Sequence, residues 1–273
     1  MKKRILISII SFGFVLLLTA CGSGEENAGN EENNAGSVDK NLYESIQDKG
    51  EILIGTEGTY PPFTFHNEEG ELTGFDVEVA REVAERIGVK AVFKETKWDS
   101  MFAGLNSERF DMVANQVGIT PERQEKYAFS DPYIQSSAVL VTHEDNTEIK
   151  SFEDLEGVSV AQSLTSNYAD IAKEYGADIT SVDGFKEAMQ LISSKRVKAT
   201  INDRLSVLDF LNQQKDAPVK IVDRADDASA NAFAFRQGSD ELIKAVNKAL
   251  AEMMEDGTYL EISKKWFGED VSK

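Results

Sequence analysis

Cysteine and histidine are almost absent from this chain. Cys21 stands alone, so no intramolecular disulfide can form. His66 and His143 are the only histidines, and neither sits in a ligand-spaced pair with another histidine or with cysteine. That argues against a zinc site and against a Ser-His-Asp triad. No Walker or dinucleotide-binding glycine pattern follows any strand-like run, and no cofactor is expected. Basic residues are in deficit, with 29 Lys and Arg against 48 Asp and Glu, and the net charge of -19 argues against nucleic acid and anionic lipid as partners. A solvated acidic surface accounts for that charge without any reference to a ligand. The five prolines all fall in expected loops or linkers, Pro61-Pro62 among them, and no internal repeat is present.

What is present begins at the amino terminus. Lys2, Lys3 and Arg4 precede an apolar run from Ile5 to Leu18, the basic-then-hydrophobic layout of a secretory signal. The run is short for a membrane span. It ends in Leu18-Thr19-Ala20-Cys21-Gly22, which resembles the lipobox of bacterial lipoproteins. That resemblance implies cleavage before Cys21, a palmitate-type lipid on its thiol, and anchorage at the extracellular face of the cell membrane in the Gram-positive manner. An ordinary signal peptide with an incidental cysteine is the alternative. Loss of residues 1–20 removes three cations and no anions, taking the net charge to about -22. Residues 22–40 are rich in Gly, Asn and Glu and cannot bury enough apolar surface to offset ordering entropy. With Cys21 they are expected to form a flexible tether.

From Asn41 onward the length fits two medium domains or one bilobal one. Short apolar runs at Glu51–Gly55, Lys90–Lys94, Phe110–Ala114 and Ala138–Thr142 read as strands. Between the first two, Val79, Ala80, Val83, Ala84 and Ile87 recur at helical spacing while Glu78, Arg81, Glu82, Glu85 and Arg86 take the other face, as in an amphipathic helix covering a sheet. The alternation continues with strands at 158–161, 178–182 and 198–201 and helices at 166–174, 186–194 and from Asp203. It closes with a helix over 240–254 that stops at Gly257, then a shorter helical piece ending near Trp266. The fold class is α/β.

In such folds small ligands meet the chain just after the strands. Gly55-Thr56-Glu57-Gly58-Thr59-Tyr60 turns tightly and can present Glu57 and Tyr60 to a cleft, or it is a plain strand-to-loop turn with a solvated carboxylate. Trp98, in Thr96-Lys97-Trp98-Asp99, offers a flat ligand wall or a core side chain. Arg123 follows Asn115-Gln116-Val117-Gly118-Ile119-Thr120 and can meet a carboxylate with two parallel bonds.

Together with Gly74-Phe75-Asp76-Val77-Glu78-Val79, these residues resemble the polar amino-acid-binding proteins of bacterial ABC importers, the extracellular solute-binding family 3. The resemblance runs from about Leu42 to the carboxyl terminus. It implies a two-lobed periplasmic-binding-protein-like fold of type II, with lobe 1 formed by residues 41–136 plus 230–273 and lobe 2 by 137–229. The implied crossings lie near Gln135–Ala138 and Ala228–Asn231. It also implies that Arg123 grips a ligand α-carboxylate beside the Gly118 N–H, that Ser166 and Asn167 add donors at a helix N-terminus, and that Asp203 holds the α-ammonium. Plain N-capping is the alternative for Ser166 and for Asp203. Glu57 stands where many relatives carry aspartate and suits a second ammonium. With Tyr60, Trp98 and Gln116 these make up the expected ligand-binding set, and the pattern looks most like the cystine-binding branch. The implied partners are a small amino acid, an ABC permease and a lipid anchor, with the protein itself a monomer. A basic amino acid or glutamine is the alternative ligand. A dehydratase-like enzyme on the same fold, or a sensory lipoprotein, is the alternative activity.

Overall fold

The computed structural model describes residues 40–273. Cys21, the expected signal peptide and nearly all of the expected tether lie outside the described residues.

The first helix, α1 (Leu42–Lys49), is absent from the sequence reading because its eight residues bury only Ile46. Its ends explain it: Asn41 and Glu44 form a capping box, and Gly50 closes it in the left-handed conformation. β1 (Glu51–Thr56) follows, then a small antiparallel sheet of β2 (Thr59–Tyr60), β3 (Thr64–His66) and β4 (Leu72–Thr73). Gly74 leads into α2 (Phe75–Arg86) at a φ of 128°, where an added Cβ would lie 2.2 Å from the Phe63 carbonyl oxygen, so only glycine fits. Helix α2 buries Phe75, Val77, Val79, Ala80, Val83 and Ala84. Full burial of a large apolar side chain contributes about 1.5–3 kcal/mol.

β5 (Lys90–Glu95) pairs in parallel with β1, which pairs in parallel with β6 (Met112–Gly118). The expected strand over 110–114 therefore starts later and extends further. Between β5 and β6, Trp98 opens α3 (Trp98–Asn106), so the residue expected just after a strand is the first of a helix. α4 (Pro121–Lys126) is capped by Thr120 with Pro121 at its first position. β7 (Tyr127–Phe129) and β8 (Ile134–Ser136) complete this part of the chain.

The chain then crosses to a second sheet. β9 (Ala138–His143) leads through a 3-10 turn (Phe152–Leu155) to β10 (Ser159–Gln162), α5 (Asn167–Glu174), β11 (Asp178–Ser181), α6 (Phe185–Ser193), β12 (Ala199–Asp203), α7 (Arg204–Gln213) and β13 (Val219–Arg224). The strand order is β11-β10-β12-β9-β13. β14 (Ser229–Arg236) returns to the first sheet and inserts antiparallel between β6 and β7, giving the order β5-β1-β6-β14-β7 with β8 also paired to β14. α8 (Asp240–Asp256) and α9 (Thr258–Phe267) then pack on α2. Two sheets, each with its own helices and joined by the passages from β8 to β9 and from β13 to β14, make the two-lobed α/β fold.

Candidate functional site

A cavity of about 50 Å³ lies where the carboxyl ends of both sheets face each other. Glu57 comes from the end of β1, Asn115 and Gln116 from β6, Gln162 from the end of β10, Val182 from the residue after β11, and Asn202 from β12. This is the edge at which open α/β sheets bind small molecules.

Glu57 is fixed by the neighbouring strand. Its backbone N–H donates to Asn115 Oδ1 at 2.8 Å, and Asn115 Nδ2 donates to Glu57 Oε2 at 2.7 Å. Burial pushes its carboxyl up to about 7, against the opposing effect of Asn115 and the Trp98 backbone N–H. Tyr60 Oη donates to Asn202 Oδ1 at 2.8 Å, and the Tyr60 ring meets Phe185 edge-on at 5.9 Å. Trp98 is 8% exposed and forms one wall.

Gln116 is a non-glycine residue with a φ of 50°, in a segment where β6 departs from regular pairing. Val113 and Val117 stand opposite Ala234 and Ala232, so Ala114, Asn115 and Gln116 together oppose the single residue Phe233. Consecutive residues of a regular strand point to opposite faces. The bulge lets Asn115 and Gln116 line the same cavity. Gln116 Nε2 then donates to Asp203 Oδ2 at 2.6 Å.

Ser166 and Asn167 also line the cavity, at the start of α5. Ser166 is the N-cap of that helix, its side chain accepting from the Tyr168 N–H at 3.1 Å. The capping reading of this serine holds, and the capping residue also lines the cleft.

Three expected residues do not line the cavity itself. Arg123 is 8% exposed and lies beyond Gly118 and Asn167, its Nη1 donating to the Gly118 carbonyl at 2.9 Å and to Asn167 Oδ1 at 3.4 Å. Its Nη2 donates to the Thr165 carbonyl at 3.3 Å. Trp98 and Phe102 present their ring faces to the guanidinium at 5.2 and 5.4 Å, and desolvation lowers its pKa from the ordinary value. Gly118 contributes the acceptor for Arg123, and a Cβ there would approach Asn167, Asn231 and Arg123 at 3.5–3.6 Å. Asp203 is fully buried behind Gln116 and caps α7, accepting from the Leu205 N–H at 2.7 Å. Burial raises its pKa.

The cavity is closed by bonds between lobes. Besides Tyr60 to Asn202 and Gln116 to Asp203, Asp99 on α3 accepts from the Leu164 N–H at 3.3 Å, the Thr165 N–H at 3.0 Å and the Thr165 hydroxyl at 2.8 Å. Lys97 pairs with Asp183 at 2.6 Å across the same gap.

Asn115, inside a motif noted in the sequence, lines the cavity together with Gln162, Ser163 and Tyr168 around the β10-to-α5 turn, and all four stand outside the expected binding set. Val182, Gly184, Phe185 and Asn202 carry no motif. Their common mark is position, since Val182, Gly184 and Phe185 lie between β11 and the start of α6 and Asn202 stands near the end of β12.

A cleft between two α/β lobes, lined by polar and aromatic side chains with a guanidinium buried just beyond Asn167, suits a small polar ligand. Residues 52–269 match the bacterial extracellular solute-binding proteins, family 3. The chain belongs to that family. It is 50% identical to the L-cystine-binding protein TcyA of Bacillus subtilis (strain 168) over 272 residues, covering 99% of this chain and 100% of that one. The L-cystine solute receptor of Neisseria gonorrhoeae, in an unliganded open conformation, is 49% identical and covers 86% of this chain and all of its own, with a TM-score of 0.57. An ancestral arginine-binding protein bound to arginine is only 39% identical, covering 80% of this chain and 98% of its own, yet reaches 0.76. Of these two structures, the less identical one is the more similar in shape. The interlobe bonds supply the reason: this chain stands with its lobes together, unlike the open receptor.

Proposed function

We propose that this chain is the substrate-binding lipoprotein of an amino-acid ABC importer and that it holds L-cystine between a lobe of residues 41–136 plus 230–273 and a lobe of residues 137–229. The observation that carries the proposal is the closed interlobe cavity with Glu57 in its wall and Arg123 just beyond Asn167. The likeness to TcyA, half of whose residues are shared over its whole length, supports cystine as the ligand.

In this reading Arg123, the Gly118 N–H and the start of α5 at Ser166 and Asn167 take one α-carboxylate, where the partial positive charge of a helix N-terminus favours an anion. Arg123 bonds to Thr165 and Asn167 of the second lobe. Those bonds part when the lobes open, leaving the guanidinium free to meet a ligand. Asp203 takes the α-ammonium, Tyr60 and Trp98 form the walls, Gln116 bridges the lobes, and Glu57 takes the second ammonium. Closure is then driven by contacts that only the closed form makes. The lipid on Cys21 keeps this monomer beside its permease. The protein binds and releases its ligand unchanged, so incubated cystine is recovered intact.

A thermal-shift panel of amino acids tests the proposal, because a ligand at 100 times its dissociation constant stabilises the native state by about 2.7 kcal/mol. L-Cystine should give the largest shift. A larger shift with arginine, histidine or glutamine would overturn the choice of ligand.

A further inference from the structure

Asp76 is a fully buried carboxylate that does not itself line the cavity. It sits in the first turn of α2, delivered there by the tight Gly74 turn, and its own N–H donates to the Phe63 carbonyl at 3.0 Å. One carboxylate oxygen accepts from the Tyr133 hydroxyl at 3.1 Å. The other accepts from the backbone N–H of Gln116. Tyr133 in turn stacks on Phe233 with ring centroids 4.5 Å apart, and Phe233 is the residue that faces the bulged segment of β6.

We propose that Asp76 is a positioning residue for the binding cleft, holding the β6 bulge so that Asn115 and Gln116 turn together into the cavity. A non-glycine residue with a left-handed φ is disfavoured, and it persists only where its surroundings over-determine it. Within β6 the bulge removes the regular ladder around residues 114–116, so the Gln116 N–H needs another acceptor in a site closed to solvent. Asp76 is that acceptor, and as a carboxylate it makes a stronger bond than a carbonyl would. The consequence reaches across the cleft. With φ held at 50°, the Gln116 side chain reaches Asp203 of the second lobe and lies 3.4 Å from the Tyr60 hydroxyl, while Asn115 holds Glu57. Without Asp76, Gln116 relaxes to ordinary backbone and only a fraction of the free protein keeps the poised arrangement. Apparent affinity falls by that fraction.

The test is a double-mutant cycle read by calorimetry with L-cystine, and it rests on the binding reading above. Asp76→Ala should weaken binding by about tenfold. Glycine adopts positive φ without strain, so Gln116→Gly removes the need for an anchor. Adding Asp76→Ala to Gln116→Gly should then change affinity by less than about twofold. A merely structural aspartate would cost the same factor in both backgrounds, and that result overturns the proposal, as does an unchanged affinity in Asp76→Ala. Should Asp76→Ala not fold, Asp76→Asn serves. Its amide oxygen can accept from Gln116 while its nitrogen donates to Tyr133, so affinity should stay within about threefold of wild type. A full tenfold loss in a folded Asp76→Asn protein counts against positioning by hydrogen bonding. Amide hydrogen exchange at Gln116 in ligand-free protein separates this idea from the choice of ligand. Protection should fall at least about tenfold in Asp76→Ala and persist in Asp76→Asn whether or not cystine binds. Unchanged protection in Asp76→Ala refutes the anchor even if the ligand proves to be another amino acid.

Discussion

Glu57 makes the sharpest test of what the cleft receives. Its carboxyl is held at about 7 by burial, whereas an ordinary glutamate titrates near 4.5. In the free protein, protonated Glu57 adds stability that is present in full below the ordinary value and is lost as pH rises through about 7. A ligand ammonium reverses that balance because it needs the ionised carboxylate. If the complex keeps Glu57 ionised at pH 5, the affinity of L-cystine should drop about fifty-fold between pH 7 and pH 5, close to tenfold per unit over the lower half of that range. Staying at or below pH 7 leaves the ligand's own α-amino groups protonated. Calorimetry at pH 5, 6 and 7 measures the slope. At pH 6, titrations in buffers of different ionisation enthalpy should report release of about 0.9 proton per ligand bound. Glu57→Gln should flatten the profile and abolish the release, which also separates Glu57 from Asp76, whose carboxyl burial likewise raises to about 7. A wild-type profile without slope, or a slope that survives in Glu57→Gln, refutes the assignment of Glu57 to an ammonium.

Arg123→Ala should weaken binding by about 10- to 10²-fold, since a hydrogen bond to a charged group contributes about 1.5–3 kcal/mol. Cooperative unfolding should persist, and near-unchanged affinity by calorimetry would remove Arg123 from the site. Ligand should quench or shift the fluorescence of Trp98, because Trp266 packs against Phe65 away from the cavity lining. A Trp98→Phe protein that keeps the whole signal contradicts that assignment. Asp99→Ala removes the acceptor for Leu164 and Thr165 across the cleft. Asp99 is exposed, so solvent screening limits the loss to a few-fold in affinity, expressed mainly as faster dissociation, and an unchanged off-rate would show that the Asp99 contacts do not hold the lobes together.

The α/β alternation was legible wherever an apolar stripe or run carried it, as in α2, β1, β10 and α8. Elements whose evidence lies in their ends or their partners were not. α1 rests on Asn41, Glu44 and Gly50, and β14 is fixed by its pairing with β6, β7 and β8. The same distinction governs the site. Residues 57, 60, 98, 116, 166 and 167 stand in motifs with their own local turn chemistry, and all six reach the cavity. Asn202 and Phe185 reach it through the placement of one sheet against the other, which no local window encodes. Nor does local pattern reveal the bulge that turns both Asn115 and Gln116 inward, since an alternating strand would send them to opposite faces.

The charges around the cleft narrow the ligand further. One buried cation, Arg123, lies beyond Asn167, while the Glu57 carboxyl stands in the cavity wall and that of Asp203 behind Gln116, and desolvation opposes the charged form of all three. Under the proposed assignments, a ligand bringing one carboxylate and one ammonium satisfies Arg123 and Asp203 and leaves Glu57 to keep its proton. A ligand with a second cationic group draws that proton off and gains a charge-assisted bond in a site screened from water. Cystine and arginine both carry such a group, while glutamine does not. Glu57→Gln should therefore weaken cystine and arginine and spare glutamine, so the same substitution that tests the carboxyl also separates the ligand classes.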